Sequence, residues 1–256
     1  MAYIFDSHAH YDDEQFDEDR DDLLEELKQK GVGGILNMSS DYASIKRTVD
    51  LTKKYDFIYG AIGIHPENAD EYSEAVKEEI LALLKEEKMK AIGEVGLDYY
   101  WESNPPKELQ LKVLRDQYEI ARSLGLPVIL HDREAHEDIL RMAKEYRDVT
   151  SVFHSYSGSV EMAREFIKLG FMISLGGPVT FKKSKTPKLV AYEIPLEHLL
   201  IETDSPYLTP EPFRGKRNEP SYVKLVAEEI AGIRSISVDE VAEQTSRNFK
   251  RLFKLL

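Results

Sequence analysis

At 256 residues the chain is longer than most single domains, but α/β barrels routinely reach that length as one unit, and one domain over residues 1–256 is expected. Its 42% hydrophobic and 32% charged content allows a full core under a soluble surface, and no apolar run approaches the roughly eighteen residues of a membrane span, so no membrane association is expected. A formal charge of −13 argues against coating nucleic acid by bulk attraction, and the absence of cysteine excludes disulfides and thiolate metal sites, leaving N and O ligands.

The chain opens on MAYIFDSHAH, which lacks the basic and apolar regions of a signal peptide. With no cysteine, this points to a cytoplasmic protein. The first apolar run, residues 3–6, leads into His8 and His10. Leu23, Leu24 and Leu27 then mark a helix, and apolar runs follow at 33–37 and 57–62, the latter leading to His65 in GIHP. Val76, Ile80, Leu83 and Leu84 mark a second helix, before the run 90–95 that contains Glu94. Leu111, Leu114, Tyr118 and Ala121 form a third stripe, stopped by Gly125 and Pro127. Runs 127–131 and 151–154 end on His131 and His154. Ser159 is positioned to cap a helix carrying Met162, Ala163, Phe166 and Ile167, which Gly170 closes. Runs 171–175 and 199–203 follow, the last just before Asp204, and two helices near 220–231 and 238–253 complete the chain, the second opening on Ser237-x-x-Glu240. Residues 101–107 and 180–188 read as loops with longer insertions, and the Pro-rich excursion 205–220 is too long for a mere turn, a kind of loop that is usually functional.

Eight near-continuous apolar runs alternating with helical segments indicate a parallel sheet covered on both faces, and eight such units fit a (β/α)8 TIM-type barrel. In such barrels the active site lies at the C-terminal ends of the strands. His8, His10, Glu94, His131, His154 and Asp204 all lie at or just past such ends. Residues two apart on an extended segment point to one side, so both imidazoles of His8-x-His10 can reach one ion. Taken singly, each has an ordinary explanation: H-x-H recurs by chance, a strand-end histidine can be structural, and Asp204 can cap a helix. Glu94 is harder to dismiss, because a carboxylate in an apolar strand is costly to bury without partners. Four histidines and two acids exceed the needs of one tetrahedral ion. Two divalent cations, from a set that includes Mg, Mn and Zn, would use them all and would activate water for hydrolysis.

The motifs DSHAH (6–10), GIHP (63–66), GEVGLDYY (93–100), ILHDREA (129–135), FHSYSG (153–158), SLGGPVTFK (174–182), ETDSPYLTP (202–210) and PFRGKRNEP (212–220) together resemble the TatD family of metal-dependent hydrolases, within the amidohydrolase-like barrels, along essentially the whole chain. The resemblance implies a metal-dependent deoxyribonuclease with DNA or an oligonucleotide as substrate. It implies that His8, His10 and Asp204 hold one cation, that His131 and His154 hold a second, that Glu94 bridges, and that Asp204 takes the proton of the attacking water. Ser155-Tyr156 and Asp132 depart from the family's frequent residues without removing a ligand.

Four further residues are candidates for substrate contact: His65, Arg133, Lys182 and Arg214. His65 either meets the substrate or simply orients its loop. Arg133 either grips a phosphate or pairs with Glu134 or Glu137. Lys182, Lys183, Lys185, Lys188, Arg214, Lys216 and Arg217, after the last two strands, read either as a groove for a polyanion or as solvated loop charges. Tyr99, Tyr100 and Trp101 either stack on bases or pack under their loop, and His136 and His198 read as peripheral. A small amide, ester or lactone is the alternative substrate class, and a non-catalytic metal or nucleic-acid scaffold the alternative outside enzymes. No obligate protein partner is evident.

Overall fold

In a computed structural model that describes residues 3–27 and 29–255, the eight apolar runs fold as parallel strands. They are β1 (Ile4–Ala9), β2 (Val32–Met38), β3 (Ile58–Ile62), β4 (Met89–Asp98), β5 (Val128–Arg133), β6 (Ser151–Phe153), β7 (Met172–Leu175) and β8 (Leu199–Ile201). They pair in chain order as one sheet. A parallel bridge between Ala9 and Ser205, with hydrogen bonds from His10 N to Ser205 O (2.8 Å) and from Asp204 N to His8 O (2.9 Å), joins the last segment to the first. The result is a nearly closed TIM-type barrel, as the strand count predicts.

The outer ring consists of α1 (Arg20–Glu25), α2 (Tyr42–Lys54), α3 (Glu74–Leu83), α4 (Lys107–Leu124), α5 (His136–Glu145), α6 (Val160–Lys168), α7 (Lys185–Glu193), α8 (Val223–Arg234) and α9 (Val238–Leu252). Local chemistry sets several of their ends. Asp41 and Ser44 form a reciprocal capping box on α2. Ser159 accepts from Met162 N on α6, Ser237 accepts from Glu240 N on α9, and Gly125 ends α4 at φ 62°. One expectation fails here: residues 180–188 do not form a continuous loop, because α7 starts at Lys185. Pro187 is compatible with that helix because it stands in the first turn, where a backbone N–H has no partner to lose. Among the described residues no helix is long and apolar enough to cross a membrane.

The strands are buried on both faces, which is why they read as unbroken apolar runs. One face packs on the helices. The other forms an inner layer to which every strand contributes, Phe5, Leu36, Met38, Ala61, Ala91, Ile129, Val152, Met172 and Leu200, and which Phe249 of α9 and Phe253 just after it plug from below. Toward the opposite end the interior turns polar, with Ser7 and Ser174 joined at 2.9 Å.

Two strands carry irregularities where functional side chains sit. Between Asp6 and Ala9 the register of β1 advances three residues against two of β2, and between Ile92 and Val95 β4 does the same against β5. Such bulges re-aim side chains, here His8 and Glu94. Gly96 pairs with His131 at φ +153°, and a Cβ there would stand 2.0 Å from the His131 carbonyl oxygen. Gly96→Ala must therefore force β4 from β5. It should destabilise the fold by about 3 kcal/mol or more, lowering the melting temperature by roughly 6–12 °C in a scan of purified protein.

Candidate metal centre

The loop after β1 is locked before any ligand question arises. Asn37 accepts from Tyr11 N (2.6 Å) and donates to Asp12 Oδ1 (2.8 Å), while Arg20 and Arg47 donate to the carbonyls of residues 11–13. This fixes His10 beside His8, and their Nε2 atoms lie 3.1 Å apart. Glu94 Oε2 is 3.3 Å from His8 Nε2 and 3.4 Å from His10 Nε2, and Asp204 Oδ1 is 3.5 and 3.7 Å from the same two atoms. A tetrahedral ion with ligands at roughly 2.0–2.2 Å has ligand–ligand edges of about 3.3–3.6 Å. Edges of 3.1–3.7 Å among His8, His10, Glu94 and Asp204 therefore have the size of an ion's cage.

The other oxygen of Glu94 faces a second set. Oε1 is 2.7 Å from His154 Nε2 and 3.0 Å from His131 Nδ1, and those two nitrogens are 3.4 Å apart. His65 Nε2 also approaches Oε1, at 3.5 Å. Its Nδ1 accepts from Glu67 N at 3.2 Å, so a neutral ring keeps its proton on Nε2 and donates to Glu94. His131 is held on its far side, with Nε2 3.0 Å from Asp98 Oδ2. The Asp98 carboxylate is in turn fixed by Tyr100 N and Asn104.

Burial alone would raise the Glu94 pKa, but His154, His65 and His8 outweigh it and hold the carboxyl well below its usual range. Burial lowers His10 and His131, yet Glu94, joined at His131 by Asp98, brings them to about 9 and about 10. His8 is pushed well down by burial and by the charge of His154. Burial raises Asp204, and it raises Glu202 to about 8. The cluster thus surrounds fixed negative charge with imidazoles that hold protons where a cation would stand, and its donor set of neutral nitrogen and carboxylate suits divalent transition ions.

A cleft of about 550 Å3 opens over the cluster, walled by Asp12, Asp13, Glu67, Asp98 and Trp101. A second arm of about 450 Å3 runs toward Leu175, Pro178, Val179 and Leu208. His131, Arg133, His154, Asp204 and Tyr207 line both. Arg133 is exposed and stacks over Tyr100 (4.0 Å) and Trp101 (5.4 Å), both half exposed, whereas Tyr99 is partly buried and donates to Asp138. Lys182 and Arg214 are not on either wall; Arg214 lies over Phe181. The basic loops are also less free than their composition suggests, since Lys188 pairs with Glu229 at 2.6 Å and Arg217 takes both oxygens of Asp19. His136 bonds Asp132 at 2.7 Å, and His198 sits in the turn before β8, at the other end of the barrel. Sequence reasoning passed over Asp12, Asp98 and Glu202, although each stands an even number of residues from a candidate (His10, Glu94 and Asp204), the spacing that had paired His8 with His10.

Known proteins resemble this chain over nearly its full length. The family model described as "TatD related DNase" matches residues 5–254. An uncharacterized metal-dependent hydrolase of Bacillus subtilis, YabD, is 47% identical, covering 98% of this chain and 99% of its own. The solved structure of YjjV, a TatD homolog from Escherichia coli, superposes with a TM-score of 0.92 at 31% identity, covering 98% of each chain. A TatD family hydrolase from Entamoeba histolytica gives 0.88 at 27% identity, covering 99% of each.

A cation entering the cage must displace the protons of His10 and His131. Raising the pH toward their pKa values of about 9 and about 10 removes that competition, so affinity rises with pH. Zn2+ or Mn2+ titrations should show roughly ten- to hundredfold tighter binding per pH unit, with protons released to the buffer. Calorimetry in buffers of different ionisation heat measures both.

Proposed function

This chain belongs to the TatD family of metal-dependent hydrolases, and from that membership we propose that it hydrolyses phosphodiester bonds of DNA or short oligonucleotides at a two-cation centre. The observation that carries the proposal is Glu94, whose two oxygens face separate groups, Oε2 toward His8 and His10 and Oε1 toward His131 and His154. On this reading His8, His10 and Asp204 would hold one divalent ion and His131 and His154 the other, with Glu94 offering an oxygen to each group. Bound there, the cations (Mg, Mn or Zn) would supply a water that ionises near neutral pH and positive charge for the phosphoryl oxygens.

Asp204 takes the proton of the attacking water. Its carboxyl is raised by burial, which makes it a better base, and its φ of 58° is held by its N–H on His8 O and by Tyr207 N on its own carbonyl. Arg133, where the two arms meet, offers a planar pair of donors to a flanking phosphate, and the faces of Tyr100 and Trp101 beside it suit a base. His65 keeps Glu94 turned by donating to Oε1. Lys182 and Arg214 are assigned only a diffuse attraction for the backbone of a longer strand.

One observation favours a second reading. Asp12, Asp13 and Glu67 line the polar arm, and such a wall suits a small neutral or cationic amide, ester or lactone better than a polyanion.

Incubation of end-labelled single-stranded DNA with Mg2+ or Mn2+ separates the two. Cleavage is expected, and Glu94→Gln and Asp204→Asn should each lower its rate at least about 1,000-fold with circular dichroism unchanged. Intact DNA beside cleaved small esters or lactones overturns the nuclease reading. Arg133→Ala should raise KM about tenfold with little change in kcat, because it removes a contact made equally in ground and transition states; steady-state kinetics on a short oligonucleotide decides this.

A further inference from the structure

Three buried polar atoms beside the centre have no hydrogen-bond partner among the described residues: Nδ1 of His8, Nδ1 of His154 and Oε2 of Glu202. They belong together. The His8 and His154 rings stack 4.0 Å apart with planes within 13°, and ligand atoms of His8, His154 and Glu202 fall within 4.8 Å of one another. The Nε2 atoms of both rings are engaged elsewhere, 3.3 and 2.7 Å from the two oxygens of Glu94. Glu202 is fully buried, and its Oε1 accepts from Ser155 N and lies 3.8 Å from His154 Nδ1.

A neutral imidazole that offers its Nε2 lone pair to a cation carries its proton on Nδ1. Both Nδ1 atoms are then buried donors, and such donors need an acceptor. His131 shows the arrangement already complete, with Nδ1 toward Glu94 and Nε2 on the carboxylate of Asp98. We propose that Glu202 is the shared acceptor for His8 and His154, a positioning residue that sets the tautomer and orientation of one imidazole from each half of the centre. The proposal rests on the two-cation reading given above. The three atoms do not suit a third cation, because neither Nδ1 keeps a lone pair once its Nε2 faces an ion.

Glu202→Gln tests this with little change of volume. The amide has one carbonyl oxygen and can serve only one ring, while its NH2 opposes the other Nδ1–H. Competition of wild type and variant against a fluorescent chelator for Zn2+ and Mn2+ should show about 10- to 100-fold weaker binding in the variant. The melting temperature of the metal-free variant should stay level or rise, because a buried carboxyl is replaced by a neutral amide. A merely structural role would lower both quantities together. Wild-type affinity in the variant, or a loss that tracks a fall in metal-free stability, overturns the role of Glu202. So does elemental analysis giving three ions per wild-type chain and one fewer in the variant at unchanged affinity. A wild-type protein that takes up no divalent cation overturns instead the two-cation reading beneath it.

Discussion

A carboxylate buried in an apolar strand is the constraint around which this end of the barrel is arranged. Glu94 is only 4% exposed, and ionised burial without compensation is prohibitive. The fold answers with imidazoles rather than lysines or arginines: His8 and His10 on one oxygen, His131, His154 and His65 on the other. Imidazole can give up its proton at modest cost, so the same shell can balance the charge with protons or release them to a cation. An arginine in its place would have neutralised Glu94 permanently and closed the site.

Holding that shell requires rigidity from the side chains that surround it. Asn37 ties the loop after β1, Asp98 turns His131, and Asn218 donates to the carbonyls of Thr203 and Tyr207 on either side of Asp204. Beneath, Asp6 accepts from Thr203 N and Oγ1 and from His8 N, linking β1 to the segment after β8 that carries Asp204. The bulges in β1 and β4 are part of the same economy of shape, because they turn side chains inward without breaking the sheet.

Much of this was legible in the residues. Strands buried on both faces leave unbroken apolar runs, so all eight were visible, and Gly125, Ser159, Gly170 and Ser237 marked helix ends by chemistry that survives folding. The helix beginning at Lys185 was not, because its lysines and Pro187 have the composition of a loop and only their position in a first turn makes them helical. Asp98 and Glu202 were overlooked for a different reason: even spacing could set each beside a candidate ligand, but their significance depends on which nitrogen of a neighbouring ring they face, and that the spacing does not carry. The basic loops misled in the opposite sense, since partners such as Asp19 and Glu229 lie far away in sequence from Arg217 and Lys188.

The seam of the barrel is where its first and last strands meet, through Ala9 and Ser205. A cation held by His8, His10 and Asp204 would grip both sides of that seam at once. Contacts between the two ends of a chain close the largest loop and form against the greatest loss of chain freedom. Such an ion would therefore be a clasp as well as a reagent, and its removal would loosen the fold first at this seam rather than within the helices of the outer ring.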